Sequence, residues 1–368
     1  MIREEAERHN TTLGDIAERA GVSKTAVSRV LNGRQIRIGS EKREEILALA
    51  ASLHYRPNII ARSLQGRTTR TVGVVVPDLT TLFYPELLHR IETRLATEGY
   101  QTIICNSKDK ALHERQQLDN LLARFVDGLI LVPVAGGANL TFLRDIHLRR
   151  VPLLMLDRYY PDEAFHYVAA DNRGGAAAGT AWLLKQGVTR VLYLGEERRN
   201  QALEERVAGV REAIIGSTAQ FPADDFFLCS PERSAVSKAC RALLDKRGPG
   251  TGIFLESHRL LMGLLDACRE RHLRIPDDLV TVGFDPFEPC LLTADDLASL
   301  RVLTSPPTTI RQNTQAMADE ACQFLLSCFG QGQQQKDATW RKLLKPELIA
   351  GGMPPASTPH HKPRTTTS

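Results

Sequence analysis

The chain has 368 residues, 42% of them hydrophobic and 24% charged, with a formal net charge of +4. Such a composition describes a folded globular protein with room for one small and one or two medium domains. No apolar run approaches the roughly 20 residues of a membrane span, and the polar opening segment lacks a signal peptide's apolar stretch, so the expectation is a cytoplasmic protein without a membrane partner.

Residues 1–11 are charged and polar and read as a flexible lead-in. From Thr12 the pattern changes. Leu13, Ile16, Ala17 and Ala20 recur at helical spacing, with Thr12 and Asp15 forming a capping-box-like start. Gly21 can take the left-handed turn, and Ser23 can cap a second helix whose apolar positions are Ala26, Val27, Val30 and Leu31. This is a helix-turn-helix. The outer face of its second helix carries Lys24, Thr25, Ser28 and Arg29, side chains able to reach base edges and phosphates in a major groove. Thr12, Ser23 and Asn32, at the ends of the two helices, complete the DNA-facing candidates. Within 12–67 about ten basic residues face about five acidic ones, so the basic excess is concentrated here. Ser40 can cap a third helix with Ile46, Leu47, Ala50 and Leu53 inward.

The order Thr-Leu-x-Asp-Ile-Ala-x-x-Ala-Gly-Val-Ser-x-x-x-Val-Ser-Arg-Val-Leu-Asn-Gly from Thr12, followed by Tyr55-Arg-Pro-Asn58 and Ala61-Arg-Ser-Leu64, resembles the DNA-binding headpiece of the lactose-repressor family of bacterial transcription regulators. The resemblance implies a helix-turn-helix domain over 12–56, a hinge helix over 57–66, and double-stranded operator DNA as partner. In that family the hinge helix enters the minor groove and inserts a leucine between base steps, which assigns the contact to Asn58, Ala61 and Leu64. About eight residues are too few for a helix to persist alone, so the hinge folds only when docked. The alternative is a plain linker with one buried leucine.

From Thr71 short β-rich apolar runs alternate with amphipathic helices. Strands are predicted near 72–76, 102–105, 128–132, 152–156, 191–194, 252–255 and 279–283, and helices near 84–98, 111–124, 174–186, 201–215, 232–246 and 258–272. Continuous apolar strands between helices mean parallel sheets covered on both faces. Two such units, changing over near Asp171, would resemble the periplasmic-binding-protein architecture of the family's regulatory half. The expected fold is therefore a small all-α helix-turn-helix headpiece plus an α/β two-lobed region over 70–352 that binds an effector and dimerises.

Ligands in such folds sit at the carboxyl ends of the strands. Asp78, Phe83 with Tyr84, Lys108, Asp157, Arg158 and Asp285 follow predicted strands, and Ser257-His258 stands where many family members have Asn-Asp. Arg206, in Glu-Arg-Val-Ala-Gly, matches the family position where an arginine holds ligand oxygens. Carboxylates accept from sugar hydroxyls while an arginine donates a planar fork, so Asp157, Asp285 and Arg206 can clamp a polyol. Lys108, Arg158 and Arg206 together would suit a phosphorylated or acidic sugar. For each residue singly, a solvated loop charge or structural ion pair is the competing reading. His258 reads equally as a helix-start residue, and the 304–312 segment aligns with the family in two registers.

Residues 353–368, rich in Pro and Thr, read as a disordered tail; a metal site at His360 and His361 is the weaker alternative. Leucine heptads are missing there, so a homodimer through the lobes is expected rather than a coiled-coil tetramer. The seven cysteines lack zinc-site spacing and read as reduced thiols. Motifs for dinucleotides, phosphate loops, nucleophile elbows and zinc peptidases are absent, and the expectation is no enzyme and no cofactor. A transport-type sugar-binding protein is the competing class, and the helix-turn-helix argues against it. The expected function is a repressor governed by a small sugar or sugar derivative, acting as inducer or co-repressor.

Overall fold

The structure, a computed structural model, describes residues 11–31, 35–53, 55, 68–80, 83–197, 200–286, 293–330 and 339–351. Residues 1–10 of the expected lead-in, Asn32, the hinge segment 57–66 with Asn58, Ala61 and Leu64, and the tail 353–368 lie outside the described residues. The chain divides into two units, Met1–Thr69 and Arg70–Ser368.

In the first unit three short helices, α1 (Leu13–Arg19), α2 (Lys24–Leu31) and α3 (Ser40–Ser52), share one small core. Thr12 and Asp15 cap α1 reciprocally: Thr12 Oγ1 accepts from the Asp15 amide at 3.3 Å, and Asp15 Oδ2 accepts from the Thr12 amide at 2.7 Å. Gly21 turns the chain at φ +63°, and Ser23 Oγ accepts from the Ala26 amide at 3.2 Å to start α2. Ile16, Ala17, Ala20, Val27, Val30, Ile46 and Ala50 fill the centre. Two expectations for α3 are corrected. Gly39, not Ser40, is its N-cap, and no side chain caps it. Leu47 is 46% exposed while Leu49 packs inward, because 46, 49, 50 and 53 share a face and 47 sits about 100° round from 46.

The second unit is built on two six-stranded sheets. The first contains β1 (Thr71–Val76), β2 (Gln101–Asn106), β3 (Gly128–Leu131), β4 (Leu153–Leu156), β5 (His166–Ala170) and β11 (Arg341–Leu344), in the order β11-β5-β4-β3-β1-β2 and wholly parallel. The second contains β6 (Arg190–Glu196), β7 (Phe226–Cys229), β8 (Thr251–Leu255), β9 (Val280–Phe284), β10 (Thr308–Arg311) and β12 (Glu347–Ile349), in the order β12-β10-β9-β8-β6-β7 with only β12 antiparallel. Helices α4 (Phe83–Thr97), α5 (Ala111–Ala123), α6 (Leu140–Leu148) and α12 (Thr314–Gly330) belong to the first lobe. The second lobe takes α7 (Asn172–Lys185), α8 (Gln201–Ile214), α9 (Arg233–Asp245), α10 (Leu261–Glu270) and α11 (Ala294–Leu300).

Both sheets are buried on both faces. Val72, Val74 and Val76 of β1 pack into one core with Ile91 and Leu325, while Val75 faces the opposite core with Leu118 and Leu143. In β6, Leu192 and Leu194 face Leu264, while Val191 and Tyr193 face Phe254 and Phe284. This is the alternation that two covered faces demand. The chain passes between lobes at Asp171, again between β10 and α12, and finally between β11 and β12. Five strands (β5, β7, β10, β11 and β12) and three helices (α6, α11 and α12) were not among the predicted segments. β7 and β11 are edge strands with half-exposed or exposed residues, so their apolar signal is weak.

Candidate functional site

Because the strands of the first lobe, and all but β12 of the second, run parallel, the residues leaving them gather at one end, and there the two lobes face each other across an open cleft of about 90 Å³. The first lobe contributes Phe83, Tyr84, Asp157 and Arg158; the second contributes Glu196, Asn200, Arg206, Ser257, His258 and Asp285, with Gln312 on the second crossing. Six expected residues, Phe83, Asp157, Arg158, Arg206, Ser257 and Asp285, line this one cavity. Asp78 and Lys108 do not. Asp78 holds its own turn by accepting from the Thr80 amide at 2.8 Å and lies 3.6 Å from Arg259 across the lobes. Lys108 is exposed, in a turn at φ +52° after β2.

Arg206 is positioned by helix packing. Gly209, one turn on, lets α8 lie against α7, since a Cβ there would meet the Arg173 carbonyl oxygen at 2.1 Å. Only 4% exposed, Arg206 donates from Nε to Asn172 Oδ1 at 2.8 Å and from Nη1 to the Glu256 carbonyl at 2.6 Å, with its guanidinium 3.8 Å over the Phe284 ring. Both oxygen partners are uncharged. Arg158, by contrast, is paired with Asp109 at 3.1 Å.

Asp157 and Asp285 follow β4 and β9 at φ +66° and +63°, a left-handed backbone that side-chain-bearing residues adopt at a cost. Asp157 accepts from the Tyr84 hydroxyl at 2.9 Å. Burial raises the Asp157 pKa, opposed by Arg158 and Arg206, and burial next to Asp157 holds the Tyr84 hydroxyl protonated well above its usual range. Asp285 accepts from Gln312 Nε2 at 3.0 and 3.2 Å. His258 opens a short 3-10 turn and lines the cleft as well; burial lowers its pKa despite Asp285 nearby, so its ring is neutral at neutral pH.

Two atoms in this wall, His258 Nδ1 and Gln312 Oε1, are buried without a hydrogen-bond partner. A side niche of about 20 Å³, room for about one water, shares Phe83, His258, Asp285 and Gln312 and adds Glu86, Arg311 and Thr314. Glu196, Asn200 and Arg259 escaped the sequence reading, and Gln312 ends the 304–312 segment, whose register the sequence leaves open. The rule that polar residues after strand ends face the cleft would have found Glu196 and Gln312 had the ends of β6 and β10 been recognised. Among the described residues there is no group of three or more side chains able to hold a metal ion, and no helix is long and apolar enough to cross a membrane.

On the helix-turn-helix, Lys24, Thr25 and Arg29 are exposed and Ser28 half-buried, all on α2. The Lys24 stem lies against α1, its Cε 3.1 Å from where a Cβ on Gly14 would stand. Thr12 and Ser23 are exposed, and both hydroxyls serve as helix caps.

Two family profiles match the chain. "Bacterial regulatory proteins, lacI family" covers residues 12–58, and "Periplasmic binding protein-like domain" covers residues 180–352. The ribose operon repressor of Halalkalibacterium halodurans is 33% identical over 284 residues, 75% of this chain and 80% of that protein. The sucrose operon repressor of Pediococcus pentosaceus is 34% identical over 275 residues, 74% of this chain and 81% of that protein. The lac repressor dimer bound to operator and an anti-inducer shares the fold with a TM-score of 0.75 at 23% identity, covering 93% of this chain and 98% of that one.

Proposed function

The chain belongs to the LacI family of bacterial regulatory proteins, and from that membership we propose a transcriptional repressor that binds a palindromic operator as a homodimer in the cytoplasm, under the control of a sugar-like effector. Lys24 and Thr25 read bases in the major groove, while Thr12, Ser23, Ser28, Arg29 and Asn32 position the helix on phosphates and base edges. Asn58, Ala61 and Leu64 act from a hinge helix in the minor groove. Self-association uses the edge strands β2 and β7, whose Ile104 and Leu228 are 43% and 37% exposed.

The strongest support for effector control is the cleft itself, where acceptors from both lobes converge around a buried arginine whose hydrogen bonds, among the described residues, go to neutral oxygens. The effector we propose is a neutral polyol. Arg158 faces Asp109 and Arg259 faces Asp78, so most of the positive charge is already matched, and Lys108 lies off the cavity. Asp157, Glu196, Asp285 and Gln312 Oε1 offer acceptors suited to hydroxyl donors. Names of relatives point the same way, toward ribose and sucrose operons.

The deciding experiment selects duplexes from random DNA with and without candidate sugars, followed by calorimetry with ribose against ribose 5-phosphate and sucrose against fructose 1-phosphate. Enrichment of one palindrome, shifted by a neutral sugar, is the expected result. A preference for the phosphates would overturn the neutral-polyol assignment, and failure to enrich any palindrome would overturn the repressor.

A further inference from the structure

The end of the first lobe opposite the cleft carries unpaired positive charge. All six strands of that sheet are parallel, so the loops leading into them share one end. β4, β3 and β1 are adjacent, which brings the starts of three loops within about 10 Å. Arg70 precedes β1, Arg124 and Phe125 precede β3, and Leu148, Arg149 and Arg150 precede β4. The one acid among these positions, Asp127, accepts from the Arg70 amide at 2.7 Å. Arg124, Arg149 and Arg150 are exposed and make no side-chain hydrogen bond or ion pair among the described residues.

A cation beside a helix C-terminus offsets its free carbonyls, and Arg124 and Arg149 are the C-caps of α5 and α6. That role needs neither Arg150 nor the large apolar side chain beside it, Leu148 at 76% exposure. The chain reaches this same end at Arg70, directly from the segment that follows the helix-turn-helix unit. We infer that this end of the first lobe is a second DNA-contacting surface, whose Arg124, Arg149 and Arg150 neutralise backbone phosphates of the duplex held by the headpiece. A duplex presents about one negative charge per 1.7 Å of its axis, matching a cluster of free guanidinium groups with no demand on sequence.

The inference rests on the proposed DNA-binding function, and the test separates the two. Operator affinity of the full chain is measured over a range of KCl concentrations for wild type, for R124Q/R149Q/R150Q and for the corresponding triple lysine variant. A long random-sequence duplex serves as the second probe. The expected result for the glutamine variant is a salt slope shallower by about 0.9 for each phosphate that is no longer neutralised, on both duplexes, with wild-type thermal stability and calorimetric sugar binding. The lysine variant keeps the wild-type slope, since phosphate neutralisation requires charge alone. An unchanged slope overturns the inference, even if affinity falls, because the arginines would then be holding the chain's own linker. A drop in thermal stability with no slope change assigns them to the helix ends and overturns it too. If wild type prefers no palindrome but its random-duplex binding loses salt dependence in the glutamine variant, the repressor proposal fails and the phosphate surface stands.

Discussion

At the scale of single residues, the cleft combines strain with incomplete pairing. Asp157 and Asp285 hold equivalent positions in the two lobes, each the first residue after a central strand and each left-handed, which costs on the order of 1 kcal/mol apiece. Arg206 spends Nε and Nη1 on neutral partners and so keeps its full charge for the cavity. Arg206→Ala is expected to weaken effector binding by about 2 kcal/mol, roughly thirtyfold, and to leave operator affinity intact. Calorimetry and operator titration of the same preparation check this, and an undiminished effector response would move the pocket elsewhere. His166 offers a pH test remote from the cleft. Its ring lies 4.6 Å from Phe324 and 6.0 Å from His147, and burial, reinforced by His147 and Arg341, pushes its pKa down from 6.5 to about 4. The unfolded chain therefore binds a proton at His166 that the folded chain refuses between those values. Its contribution to stability is complete above pH 6.5 and is lost as pH falls toward 4. In His166→Asn, whose side-chain oxygen can still accept from the Trp340 amide, urea midpoints should fall less steeply than in wild type across that window. Equal slopes would remove His166 from the acid sensitivity.

At the scale of elements, α2 shows how a short helix is made specific in position and free in surface. Ala26, Val27 and Val30 are buried and fix its rotation, and the same 3.6-residue repeat leaves Lys24, Thr25 and Arg29 outward. Exchanging Lys24 and Thr25 should change which operator is enriched, whereas Arg29→Ala should lower affinity for every duplex. An unaltered enriched sequence after the exchange would take Lys24 and Thr25 out of base readout. The helices of the lobes illustrate the opposite case. α12 arises late in the chain, yet Met317, Ala318, Ala321, Cys322 and Leu325 complete the first lobe's core against α4. Its place follows from the second crossing rather than from its own residues.

For the whole molecule, the proposed effector control requires that the cleft favour one arrangement of the lobes, with contacts across the lobes setting how much. Tyr159 reaches Glu205 on α8 at 2.7 Å, and Arg259 reaches Asp78 at 3.6 Å. Stacked on Tyr167 at 4.0 Å, Tyr159 is held in place from its own lobe. Tyr159→Phe removes only the hydroxyl of that link and should shift effector affinity by about 1 kcal/mol, some fivefold. By linkage the operator's response to effector shifts with it, within the 1 to 3 kcal/mol typical of such coupling. Equal effector affinity in the two proteins would show that the link is closed, or open, equally in both states.

What was readable in the residue order is what neighbours a few positions apart decide. The capping pair Thr12 and Asp15, the turn at Gly21 and the outward face of α2 are local, as are the unbroken apolar runs of β1, β3 and β4 that mark strands covered on both sides. The rule that ligands lie beyond strand ends brought Phe83, Asp157, Arg158 and Asp285 forward, and family likeness added Arg206 and Ser257. Edge strands such as β7 and β11 stayed hidden because their half-exposed residues carry little pattern. Only the folded chain could add Glu196 and Gln312 to the cavity of Asp157 and Arg206, or set Lys108 apart from it. Strand order and the three crossings depend on hydrogen bonds and packing between segments as distant as β1 and α12. Such free energies are sums over the entire molecule, and no local window of residues contains them.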